Sequence, residues 1–120
     1  MGWMRHHGIV VTSWDRPLLL TAHGKACQVF PEGHITEPTE KQTNGYSSFL
    51  VAPDGSKEGW EESDEGDCRR REFIDWLRTQ VHEDGSSNLD WIEYSHDADN
   101  NTAVIVTASE WQPDQTEERK

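Results

Sequence analysis

The apolar residues of this chain fall in short runs, and their spacing alternates between strand-like and helix-like periods. Residues 7–14 (HGIVVTSW) are compact and β-branched and predict a buried strand. Asp15 follows in an N-cap position with Pro17 in the first turn, and Leu19, Ala22, Ala26 and Val29 then recur three, four and three residues apart. That stripe predicts a helix ending near Phe30 and Pro31, although Gly24 weakens it by about 1 kcal/mol relative to Ala. Residues 31–43 are polar and hold at most a short edge strand at His34 to Glu37. Asn44-Gly45 is a turn signal, Tyr46 to Ala52 reads as a strand, and Pro53-Asp54-Gly55 closes it.

Residues 54–67 read as an acidic loop punctuated by glycines. A second helix is expected from Asp67 to His82, because Phe73, Leu77 and Val81 recur every four residues and Ile74 widens the stripe. Asp67 suits the positive start of that helix, whereas Arg69 to Arg71 oppose its dipole. Glu83-Asp84-Gly85 ends it, with Gly past the end. Leu89 to Ser95 and Ala103 to Ala108 read as two strands joined by a hairpin turn at Asp99 to Thr102.

The resulting order predicts an α+β fold: a largely antiparallel sheet of four or five strands with two helices on one face. With the weak strand near His34 counted, the first six elements follow the ferredoxin-like order β-α-β-β-α-β, with one extra hairpin strand. Right-handed crossovers place both helices on the same side. Residues 1–111 form one expected domain, and 112–120 an expected disordered acidic tail.

Composition changes this picture in one respect. Apolar residues make up only 32% of the chain and the net charge is −12, from 23 acids and 11 bases, which taken alone resembles a disordered sequence. The periodic clustering, with 6 Trp, 3 Phe and 2 Tyr, argues for a packed core instead. The charge disfavours direct contact with nucleic acid or anionic lipid and favours a basic protein partner. Cys27 and Cys68 lack metal-ligand spacing, and the N-terminus lacks the uninterrupted apolar stretch expected of a signal peptide; two free, partly buried thiols in a reducing cytoplasm are the expectation. The apolar runs are too short to span a membrane.

The search for chemistry returns little. His6 and His7 are strand neighbours and point to opposite faces, so they cannot chelate one ion together. Asp97-x-Asp99-x-Asn101 opens like a calcium-binding EF-hand loop, but Thr102 stands at the required Gly and Ala108 at the required Glu. Gly24-Lys25 lacks the preceding glycine of a phosphate-binding loop, and no nucleophile motif surrounds Ser13 or Ser109. Cys68 beside Arg69 to Arg71 has the surroundings of a reactive thiol, which Asp64, Glu65 and Asp67 oppose. No catalytic, metal or cofactor residue is expected. Trp14, Trp76 and Trp91 are expected in or near the core, and Trp3 and Trp111 outside it.

The runs at residues 4–14 (MRHHGIVVTSW), 44–64 (NGYSSFLVAPDGSKEGWEESD) and 83–87 (EDGSS) resemble a family of small proteins encoded by bacteriophages and prophages. The resemblance spans roughly residues 4–94 and supplies no site residue. It implies a setting in which small acidic proteins bind a host protein. Inhibitors of bacterial immunity, anti-CRISPR proteins among them, are similar in size and charge, and some imitate the negative surface of DNA.

The leading expectation is therefore a non-enzymatic, phage-type accessory protein in the host cytoplasm that binds a nucleic-acid-handling or defence protein through an acidic surface. The residues expected to form that surface are Asp54, Glu58, Trp60, Glu61, Glu62, Asp64, Glu65, Asp67, Asp90, Asp97 and Asp99, with Trp60 as an aromatic anchor ringed by acids. The alternative expectations are a protein that sequesters a signalling nucleotide, for which Arg69 to Arg71 and a nearby Trp are the sequence support, and an enzyme with an unrecognised site.

Overall fold

The structure, a computed structural model, describes residues 3–109. The element order is β1 (Arg5–Ser13), α1 (Arg16–Val29), a 3-10 turn (Thr43–Gly45), β2 (Ser47–Val51), α2 (Glu61–Arg78), β3 (Asp90–Asp97) and β4 (Thr102–Ala108). The four strands form one antiparallel sheet in the order β2-β1-β3-β4. The α+β fold expected from the sequence is the fold observed. The residues 112–120 expected as a tail, and Trp111, lie outside the described residues.

Alternation along β1 sets the two faces. Ile9, Val11 and Ser13 are buried on one side, opposite Val51, Phe49 and Ser47 of β2. Val11 also stands opposite Trp91 of β3. These residues share a single core with Leu19, Ala22 and Ala26 of α1 and Phe73, Ile74 and Leu77 of α2, so both helices cover the same face. The other face carries His6, Gly8, Val10 and Thr12 of β1 beside His96, Tyr94, Ile92 and Asp90 of β3.

α1 starts as its sequence dictates, with the Asp15 carboxylate accepting from the Leu18 amide. The weak strand at His34 is a single bridge, Ile35 to Val51, flanked by amide bonds from Thr36 to the Leu50 carbonyl and from Ala52 to that of His34. It runs along the free edge of β2, the position that the ferredoxin-like order assigns to its second strand, without growing into a ladder. Pro38 and the bonds that the Leu50 and Ser48 amides of β2 donate to the Thr36 and Thr39 hydroxyls take the place of regular pairing.

α2 departs most from expectation. It begins at Glu61, six residues before Asp67, and ends at Arg78, four before His82. The acids that suggest a loop are first-turn residues, Glu61, Glu62 and Asp64, which the positive end of the helix favours. Gly66 is buried inside the helix rather than breaking it, and a Cβ there would stand 3.1 Å from Arg70 Nη1 and 3.3 Å from Asp54 Oδ2. At the other end the amides of Thr79 and Gln80 bond back to the Trp76 and Leu77 carbonyls, and Val81, expected in the core stripe, is exposed.

Candidate functional site: an acidic helix start beside exposed tryptophans

The segment before α2 is tied to the start of β1. Met4 bridges to Lys57, and the Glu58 amide donates to the Trp3 carbonyl at 2.9 Å. The β3–β4 hairpin lies at the same end, where the Ala98 amide donates to the Met4 carbonyl at 3.1 Å. The start of α2, the start of β1 and the tip of the hairpin thus form one end of the molecule.

This end collects part of the expected acidic surface. Glu61, Glu62, Asp64 and Glu65 are exposed on the first turns of α2. Among the described residues Glu61, Glu62 and Asp64 have no ion-pair partner, while Glu65 reaches Arg69 at 3.9 Å. Asp99 is exposed at the hairpin tip. Trp60 caps the helix without a side-chain hydrogen bond and is 44% exposed, and Trp3 is 46% exposed. The half-open Trp60 indole beside these carboxylates combines apolar anchor area with negative charge, while Arg5 lies over the Trp3 ring, 5.3 Å from its centroid.

Four of the expected surface residues serve the fold instead. Glu58 stands 2.7 Å from Nε2 of His7, joining the segment to β1. Asp97 is buried: its carboxylate accepts from the amides of Asp99 and Asn100 and from Asn100 Nδ2, and Arg5 lies 3.6 Å away. The Asn100 side-chain bond leads the causes that hold the Asp97 carboxyl below its ordinary value. Burial pushes the Asp54 carboxyl up, but bonds from the Ser56 hydroxyl and amide, with Arg70 and His34 nearby, outweigh it and hold that group low. Asp67 is occupied by Arg70 one helical turn on.

Asp90 belongs elsewhere. It opens β3, whereas Asp97 closes it, so the two stand roughly 23 Å apart along the strand. Glu83 and Asp84 lie beyond the far end of α2, where Asp84 accepts from the Ser86 amide and hydroxyl. The acidic run from residue 54 to 99 is therefore not one continuous surface.

A cleft of about 450 Å³ opens between α2 and the β3–β4 pair and is lined by Asp67, Arg70, Arg71, Asp75, Arg78 and Glu93 among others. Arg70 is buried and already paired with Asp67 and, at 3.7 Å, with Glu93; Arg78 lies over the Trp91 ring, 5.7 Å from its centroid. The arginine that meets a Trp is therefore Arg78, not one of Arg69 to Arg71, and that Trp is buried. Three arginines face three carboxylates, so the lining has no net positive charge with which to hold a phosphate.

Several contacts were not visible in the sequence. His6 and His96 face each other across β1 and β3 with ring centroids 5.8 Å apart. Cys27 Sγ lies 4.0 Å from both ring nitrogens of His23, a pair whose four-residue helical spacing was the available signal. Both cysteines are exposed rather than partly buried, and Trp14, expected near the core, is 52% exposed. Among the described residues no three metal-capable side chains come together, and no helix is long and apolar enough to cross a membrane. Comparison with protein-family models, curated proteins and solved structures finds no match.

Proposed function

We propose that this chain is a non-enzymatic binding protein whose acidic end engages a basic, nucleic-acid-binding surface of another protein and blocks it. The observation that carries this reading is the first turn of α2, where Glu61, Glu62 and Asp64 have no ion-pair partner among the described residues and face solvent beside the half-exposed Trp60. A rigid helix start holds these carboxylates at fixed spacing, which a mobile acidic loop would not. The indoles of Trp60 and Trp3 supply the apolar contact that separates a specific partner from general attraction to any cation. The sequence resemblance to phage-encoded proteins supports the reading that the partner is a nucleic-acid-handling or defence protein of a host cell.

The binding surface is narrower than the sequence suggests. It comprises Trp60, Glu61, Glu62, Asp64, Glu65 and Asp99, joined by Trp3. Asp54, Glu58, Asp67 and Asp97 hold the end together from beneath, and Asp90 takes no part.

The test is capture of partners from host lysate by the tagged protein at low and at high salt, beside the triple variant Glu61→Lys, Glu62→Lys, Asp64→Lys. These positions are exposed, so the variant is expected to fold, which circular dichroism checks. Recovery of one basic nucleic-acid-binding complex by the wild type, weakened by salt and lost in the variant, supports the reading. Equal recovery by both proteins would sink it. Copurification of a small anion with the wild type would favour the cleft beside Arg78 instead.

A further inference from the structure

β4 is an edge strand, and it lacks the features that usually protect one. It pairs with β3 on one side and with no strand on the other among the described residues. Its sequence, TAVIVTA, contains no charge and no proline, in a chain where 28% of residues are charged. Natural edges are commonly blunted by Lys, Pro or inward charge. Here three consecutive large apolar side chains are open to solvent: Val104 at 61%, Ile105 at 63% and Val106 at 49%.

The exposure extends to both faces of the sheet. Val104 stands opposite Ser95 and so lies on the helix-covered side, whereas Ile105 stands opposite Tyr94 on the other side. Neither helix reaches over β4, because the core that they share ends at β3. Among the described residues the strand is thus unpaired along its edge, with Val104 and Ile105 open on its two faces. The register shift against Glu93 and Tyr94 bulges β4 near Val106, which leaves Thr102 to Ile105 as its regular part.

We propose that this edge pairs antiparallel with β4 of a second copy of the chain, forming one continuous eight-stranded sheet about a twofold axis. Charge selects the occupant. β4 itself carries no charge, and the cleft beside Val106 balances three arginines against three carboxylates, so neither a basic nor an acidic partner is selected. A second copy offers the same uncharged apolar edge, and an antiparallel strand pair is self-complementary under a twofold axis. Each copy covers Val104 and Ile105 of the other.

The charge of the chain gives this association a distinctive salt response. Two copies, each of net charge −12, repel one another, and the contact itself contains no ion pair. Added salt screens the repulsion and strengthens the apolar contact, so the dimer tightens as salt rises. Binding through the acidic end weakens over the same range, so the two associations respond in opposite directions and are tested independently.

Sedimentation equilibrium of the full chain across protein concentration, at low and high salt, reads this directly. The expected result is a monomer–dimer equilibrium that tightens with salt, and that weakens at least about ten-fold in Val104→Lys, a desolvated-charge penalty of about 1.4 kcal/mol or more. Val104 faces away from the open side of the sheet, so a dimer built by stacking the open faces would survive Val104→Lys and would overturn the proposal. A monomer at every concentration and salt would overturn it too. So would β4 amides that resist hydrogen exchange independently of protein concentration, because the edge would then be covered by the chain's own residues.

Discussion

Arg70 reaches from the buried side of α2 to Glu93 on β3, with its Nε 3.7 Å from the Glu93 carboxylate, and it also holds Asp67 on its own helix. The guanidinium is thereby the polar link between α2 and the sheet, seated among apolar neighbours such as Ile74. Removing one partner of a buried pair leaves the other charged and uncompensated, at a typical cost of 3–5 kcal/mol. Asp67 remains to Arg70 when Glu93 is lost, so Glu93→Ala is expected to destabilise by about 2–3 kcal/mol. The double variant Arg70→Met, Glu93→Leu is expected to recover most of that loss. Urea denaturation of the three proteins checks both; a double variant as unstable as the single one would show that the link depends on its charges.

The Tyr94 ring lies across Gly8, its directly opposed partner on the open face of the sheet. A Cβ at position 8 would fall 2.4 Å from the Tyr94 hydroxyl and 2.5 Å from Cζ. Gly8→Ala therefore forces the ring off the sheet, with an expected cost of about 1–2 kcal/mol from lost packing. Because the cost arises from this one contact, the Gly8→Ala penalty is expected to shrink in a Tyr94→Ala background. Equal penalties in the two backgrounds, read from thermal unfolding, would place the cost in the backbone instead.

His34 stacks on Phe30, and burial pushes its pKa below 6.5, with Arg69 and Arg70 adding to the effect and Asp54 opposing it. The unfolded chain therefore takes up a proton at His34 at a higher pH than the folded chain does. Stability from this group is present above pH 6.5 and falls as pH drops through that value. Asp54 and Asp97 are held low, so their contribution is present above the ordinary value of 3.8 and is lost as pH falls further, through their folded values. Stability is thus expected to decline in two stages on acidification. An imidazole resonance of His34 that titrates below 6.5 by NMR supports the first stage; titration above it contradicts the burial argument.

The sheet and α1 were legible because local and tertiary preferences agree there. The β-branched run through Val11, the Asp15 cap with Pro17, and Asn44-Gly45 each specify one conformation. The start of α2 was not legible, because Glu61, Glu62 and Asp64 suit a solvated loop and a helix N-terminus equally well. The buried place of Gly66 inside the helix, beside Arg70 and Asp54, is a tertiary fact that the sequence does not display. The acidic surface was half legible for the same kind of reason. Sequence counts carboxylates, but only the fold shows that Asp97 is committed to the Asn100 turn, Glu58 to His7 and Asp67 to Arg70, and that Asp90 lies at the far end of β3. The exposed edge of β4 could not be read either, because an apolar strand looks the same at the centre of a sheet as at its border.

The most direct test of the central claim is a competition measurement on the captured basic complex. Its nucleic-acid binding is measured while the wild-type protein is added, and again with the Glu61→Lys, Glu62→Lys, Asp64→Lys variant. The account predicts that the wild type displaces the nucleic acid, less effectively as salt rises, and that the variant does not. Nucleic-acid binding that persists at saturating wild-type protein, or displacement by the variant at equal concentration, would contradict it.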